Sequence, residues 1–166
     1  QLEWNALAKS VRSKRPPFNT NSHISGYNLF MSAYHGLACI GEERVPEPRP
    51  LPDFPVVCLE PASAAVLNGI DLQISFRING DTISDRLRII GKVQLTAPGY
   101  SVHRGKFRNY VGVLSDEGFV SFVIHDFRSV CSLDLKEYQV HMKYFLIDAN
   151  SGHRSKENPL STSIEI

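Results

Sequence analysis

From Ile70 to Ile78 apolar and polar residues alternate strictly: Ile70, Leu72, Ile74, Phe76 and Ile78 fall on one side, Asp71, Gln73, Ser75 and Arg77 on the other. A period of two marks a strand with one buried face. The longest such run is Tyr138 to Ile147, with Tyr138, Val140, Met142, Tyr144 and Leu146 directed inward. Shorter strands are predicted over Val56–Leu59, Arg86–Leu95, Phe107–Leu114, Phe119–Ile124 and Leu160–Ile166. Gly91 interrupts the second of these, as a bulge or a close backbone approach would. Between them stand turn signals: Asn79-Gly80-Asp81, Pro98-Gly99, Ser115-Asp116-Glu117-Gly118 and Asp148-Ala149-Asn150-Ser151-Gly152. The third is expected to close a hairpin between Phe107–Leu114 and Phe119–Ile124. Phe127 to Glu137 has no clear pattern. About seven short strands with regular turns and no interleaved helices predict an antiparallel β-sandwich of immunoglobulin or fibronectin type III kind.

The period changes to helical before residue 45. Leu2 to Ser13 places Trp4, Leu7, Ala8 and Val11 on one face, with Glu3 near the start, where the macrodipole favours negative charge. Pro16-Pro17 ends this helix and Phe18 to His23 connects it to a second. In the second helix Tyr27, Phe30, Met31, Tyr34, Leu37 and Ala38 recur at three-and-four spacing, a stripe wide enough to need covering. Ser25 suits its N-cap and Gly41 its C-terminal stop. The simplest arrangement is a helical hairpin, which is marginal alone and needs a further surface.

Pro46, Pro48, Pro50, Pro52 and Pro55 follow within ten residues. Proline at this density makes a stiff extended strap, a more frequent use of such a segment than as a ligand for aromatic-groove modules. The expected organisation is therefore a helical hairpin over 1–44, a strap over 45–55 and a β-sandwich over 56–166.

Eighteen Lys and Arg against 17 Asp and Glu leave a formal charge of +1, so no global field draws the chain to nucleic acid or an anionic membrane. Lys9, Arg12, Lys14 and Arg15 gather at the far end of the first helix, where cations suit the dipole more simply than they mark a phosphate site. No apolar run is long enough to span a bilayer, and no signal peptide is visible. A start at Gln1 with helical periodicity already under way suggests that upstream sequence has been removed. Cys39, Cys58 and Cys131 lack zinc or dithiol spacing and sit among apolar residues, as three buried hydrophobes would.

Trp4 in a first helix, Ser25-Gly26-Tyr27-Asn28-Leu29-Phe30 opening a second, then Gly41 and a proline-rich strap form an order that resembles a group of uncharacterised bacterial and phage-associated proteins. Those proteins end in an immunoglobulin or fibronectin type III-like sandwich. The run from Tyr144 through Asp148, Gly152 and Ser155 to Ile166 also resembles the last hairpin of fibronectin type III-like domains. The resemblance implies a role in structure or adhesion and transfers no catalytic residue.

Chemistry finds little footing. His23, His35, His103, His125, His141 and His153 have no metal-ligand spacing, and adjacent His125 and Asp126 would point to opposite faces of a strand. Asp81, Asp85, Asp116, Glu117 and Asp148 would bind calcium only if they converged. No nucleophile elbow or phosphate loop is present, so no catalytic, cofactor or metal site is assigned. The expected role is a non-enzymatic structural subunit of a filament, virion or surface layer, a homo-oligomer or polymer outside the cell. Its contacts would come from Trp4, Tyr27, Phe30 and Tyr34 of the helices and Ile164 and Ile166 of a half-buried edge strand. The alternative is a monomeric module binding a surface glycan or protein through Tyr100, His103, Tyr110 and Phe127.

Overall fold

The computed structural model describes residues 1–11, 24–102, 107–131 and 135–166. Two helices, α1 (Leu2–Ala8) and α2 (Gly26–Cys39), precede β1 (Val57–Leu67), β2 (Asp71–Gly80), β3 (Leu87–Thr96), β4 (Arg108–Val111), β5 (Val113–Leu114) and β6 (Phe119–Ile124). A short α3 (Phe127–Cys131), β7 (Glu137–Asp148) and β8 (Asn158–Glu165) complete the chain. The strands form two four-stranded sheets, ordered β1-β2-β6-β5 and β4-β3-β7-β8. Every described pairing of known register is antiparallel.

Two compact units emerge: Gln1–Asp53 with Ile147–Ser155, and Phe54–Leu146 with Lys156–Ile166. In the second, the inner faces of both sheets share one apolar core. Leu72, Ile74 and Phe76 of β2 and Val120, Phe122 and Ile124 of β6 meet Ile89 and Val93 of β3 and Tyr138, Val140 and Met142 of β7. The alternation in β2 and β7 therefore directs side chains as their period requires, and the body is sandwich-like. Phe76 and Phe122 meet edge to face at 6.0 Å, a geometry that aligns ring edge with ring face.

Several expectations change. The first strand is not four residues but eleven, because β1 continues past Pro61; the register steps from Pro61↔Phe76 to Ser63↔Ser75 and leaves Ala62 unmatched. An edge strand tolerates a proline and a bulge, and the far half of β1 is too exposed to show alternating hydrophobicity. Ile70 lies outside β2 and is exposed, in a turn where Asn68 has a φ of 52°.

The expected hairpin of Phe107–Leu114 with Phe119–Ile124 shrinks to two paired positions, Val113↔Ser121 and Leu114↔Val120. Residues 108–111 instead pair with β3 in the other sheet. The chain changes sheets at Gly112, whose amide donates to Ile89 O at 2.8 Å. A methyl group there would collide with Val120 Cγ2, so the crossing depends on a missing side chain. Gly91 is a close approach as expected, since a Cβ would meet Phe122 at 3.0 Å and Met142 at 3.2 Å. The unpatterned segment after β6 begins with α3, whose Phe127 is buried edge to face against Tyr138.

In the first unit α1 ends at Ala8 and packs on α2 through Trp4, Ala8, Leu29 and Ala33. The connection 12–23, with Arg12, Lys14, Arg15, Pro16-Pro17 and His23, lies outside the described residues. Ser25 caps α2 as expected, its Oγ accepting from Asn28 N at 3.1 Å. The covered face of α2 is not the aromatic stripe. It consists of Gly26, Leu29, Ala33, Gly36 and Leu37. Small residues win because neighbouring backbone comes closer than a ring would permit: a Cβ on Gly26 would lie 2.7 Å from Asn5 N. The cysteines are not the three buried hydrophobes expected: Cys58 is exposed and Cys39 and Cys131 are half-buried; Cys58 takes the outward phase of β1 between inward Val57 and Leu59.

Candidate functional site

With Gly26, Leu29, Ala33, Gly36 and Leu37 facing inward, α2 presents two of its aromatic side chains outward. Tyr27 is 66% exposed and Tyr34 44% exposed, while Leu2 on α1 is 85% exposed. Phe30, half-buried, joins them, stacked on Tyr34 with centroids 6.2 Å apart and edge to face on Trp4 at 5.5 Å. Gln1, Trp4, Gly26, Tyr27 and Phe30 line a shallow concavity there. Of the six expected contact residues, Tyr27, Phe30 and Tyr34 share this surface. Trp4 is buried beneath it. Ile164 is buried in the β core and Ile166 packs partly against that core.

Beneath the aromatic face a polar latch holds the unit. Gly152, with a φ of 78°, brings its carbonyl against Gly36, and a Cβ on Gly152 would meet Ala33 O and Leu37. The turn is built on Asp148, which accepts from Asn150 N at 2.9 Å and Ser151 Oγ at 3.2 Å. Arg44 donates to Asn150 O at 3.0 Å. The buried His153 meets Trp4 edge to face and donates through Nε2 to Arg49 O at 2.7 Å. Strap, turn and helices are thereby tied into one body. Gly152 and His153 carry this arrangement, yet in sequence they look like an ordinary turn followed by a lone histidine.

Elsewhere the expected chemistry is rearranged. His125 pairs not with its neighbour Asp126 but with Asp71, Nδ1 to Oδ2 at 3.1 Å. Asp71 also accepts from Asp126 N at 3.0 Å, where Asp126 adopts a φ of 46°. The hydrogen bond from the Asp126 amide, then that from His125, hold the Asp71 carboxyl below its usual range. The imidazole is largely exposed, and the group braces the corner after β6. A depressed carboxyl pKa contributes stability that is complete above the ordinary aspartate range and is lost as pH falls through the folded value. Asp71→Asn should flatten that acid limb of a stability-against-pH curve measured by urea denaturation, and an unchanged limb would refute the assignment.

On the outer face of the second sheet, His141 lies between Thr96 Oγ1 at 3.1 Å and Ser161 Oγ at 3.2 Å. Gln139 joins Ser161 and Ser163, each at 3.0 Å. These side chains satisfy one another across paired strands and reinforce the register. Among the four expected contact aromatics and histidines, Tyr100 is exposed and Tyr110 is half-buried against the core. Phe127 is wholly buried and so is removed from any contact surface, while His103 lies outside the described residues. Asp81 accepts from Val56 N at 3.0 Å; among the described residues no three or more His, Cys, Asp or Glu gather as metal ligands would. No described helix is long and apolar enough to cross a membrane.

No protein-family model and no curated protein matches the sequence. Among solved structures, 69% of the chain is similar to part of chitinase ChiW from Paenibacillus sp. str. FPU-7, described as a cell-surface-expressed multi-modular enzyme machinery, at 17% identity and a TM-score of 0.34. The chain spans 9% of the length of that protein.

Proposed function

We propose that this protein is a non-enzymatic assembly module: a sandwich of immunoglobulin or fibronectin type III kind joined to a helical unit that docks against a neighbouring subunit. Two features support the sandwich type. The strand orders β1-β2-β6-β5 and β4-β3-β7-β8 correspond to an ABED sheet facing a CFG sheet, with one further strand beside C. At the start of β7, buried Tyr138 reaches back three residues, and its Oη accepts from Leu135 N at 2.9 Å. That is the contact of a tyrosine corner at the E–F turn.

The observation that carries the assembly reading is the outward stripe Tyr27, Phe30 and Tyr34. A unit of this size has little reason to align aromatics on the solvent side of a helix whose other face is already closed by Gly26, Leu29, Ala33, Gly36 and Leu37. Covering them by a neighbour removes apolar area from water, and aromatics with polar tips suit a contact that also exists open. A cell surface, an appendage or a virion is the setting this reading implies.

Tyr27→Ser/Tyr34→Ser should weaken self-association by about tenfold or more in sedimentation over a concentration series. Both sites are exposed, so the circular dichroism spectrum should stay unchanged. Equal association by the parent and this variant would sink the helix-face reading.

A further inference from the structure

The outer edge of β1, the last strand of its sheet, is closed over one half and open over the other. In the first half the hydroxyl of Tyr144 takes the place of a neighbouring strand, accepting from Leu59 N and donating to Val57 O, both at 3.3 Å. Glu60, Pro61 and the unmatched Ala62 follow; charge, proline and a bulge all discourage another strand from adding on. Ser63-Ala64-Ala65-Val66-Leu67 has none of these defences. Its backbone phase shows which groups are open. Ile78 N bonds to Gly118 O on the β6 side, so in β2 the even positions bond to β6 and the odd ones to β1. Ser75, Gln73 and Asp71 therefore hold Ser63, Ala65 and Leu67. The amides and carbonyls of Ala64 and Val66 point away from β2, and among the described residues none of them is bonded there.

We propose that this open half pairs with the same segment of a second copy, antiparallel about a two-fold axis at Ala65, so that two four-stranded sheets become continuous. Ala64 of one copy then stands opposite Val66 of the other, twice by symmetry, and each such pair exchanges both of its amide-to-carbonyl bonds. Ser63 stands opposite Leu67, and Ala65 faces its own copy at a non-hydrogen-bonded position, where side chains come closest. Charge and size identify the occupant. A symmetric partner sets like against like at the axis, which only a small uncharged residue accommodates, and 61–67 carries no charge. The faces agree as well: Ala64 and Val66 both pack toward the core, while Ser63, Ala65 and Leu67 are exposed. Sliding by one residue would oppose open groups to groups already bonded to β2. Sliding by two would bring Ala62 of the bulge, or Asn68 with its φ of 52°, into the ladder.

This inference deepens the assembly reading and rests on it only for self-association. The test is sedimentation of Ala65→Lys, of Ala65→Glu and of their equimolar mixture, beside Tyr27→Ser/Tyr34→Ser. Residue 65 is exposed, so neither charge disturbs the core. Each variant alone places like charges face to face and should weaken self-association by about tenfold. The mixture sets opposite charges across the axis and should recover the parental behaviour within about threefold. A second measurement needs no variant: hydrogen exchange at the Ala64 and Val66 amides of the parent should slow by about tenfold between dilute and concentrated samples.

A mixture no better than either variant alone overturns the proposal, as does exchange at those two amides that ignores concentration, or a parent that is monomeric throughout. If both charged variants behave as the parent while the tyrosine variant dissociates, the edge fails and the helix face stands. If the tyrosine variant behaves as the parent while the charged variants dissociate and their mixture recovers, the edge stands and the helix face fails.

Discussion

Gly36→Ala is expected to destabilise the helical unit by about 3 kcal/mol, the upper end of the usual range for overpacking. The added methyl would occupy the position of the Gly152 carbonyl oxygen. A flexible side chain could rotate aside, but a backbone carbonyl moves only if the turn moves. That turn is tied by Asp148 to Ser151 and by Arg44 to Asn150. Displacing it also strains the bond from His153 to Arg49 O. Trp4 is the only tryptophan in the chain and sits against both His153 and Phe30, so its emission reports this unit directly. Urea denaturation followed by that emission should show an earlier midpoint for the variant. A midpoint equal to the parent's would mean that α2 and the turn do not pack as described.

The second large effect belongs to the β unit. Tyr138→Ala should cost about 3 to 5 kcal/mol, the range for deleting a buried aromatic. The ring is fully buried and meets Phe127 edge to face at 5.9 Å. Tyr138→Phe separates the two parts of that loss. The ring remains, but half-buried Leu135 N loses the Oη that accepts its proton, and losing such a bond costs about 1 kcal/mol. Far-ultraviolet circular dichroism against denaturant would measure both. A phenylalanine variant as stable as the parent would remove the tyrosine-corner argument and leave the strand order to support the sandwich type alone.

The contrast between the helices and the strands explains what could be read early. In β2 and β7 each inward residue meets the core, so alternation in sequence translates directly into burial. In α2 the same logic picks Leu37, which is buried, together with Tyr27 and Tyr34, which are exposed. A helix packs on whichever face lets a partner approach, and Gly26, Ala33 and Gly36 permit an approach that Tyr27, Phe30 and Tyr34 do not. Of the expected contact residues, Tyr27 and Tyr34 are exposed and Phe30 is half-buried, whereas Trp4 and Ile164 are buried. Asp71 was invisible as a partner of His125, because the two stand 54 positions apart in sequence and only the β2–β6 pairing brings them together.

By itself the order of residues determined the strand-rich class, most of the turns and the N-cap at Ser25, since each follows from local periodicity or backbone restriction within a few positions. Only the tertiary structure decided that Gly112 switches sheets, that the 147–155 turn packs with the helices, and that the aromatics of α2 face solvent. Those outcomes depend on how closely distant backbones can approach. Glycine and alanine set that distance, and a pattern of hydrophobicity does not record it.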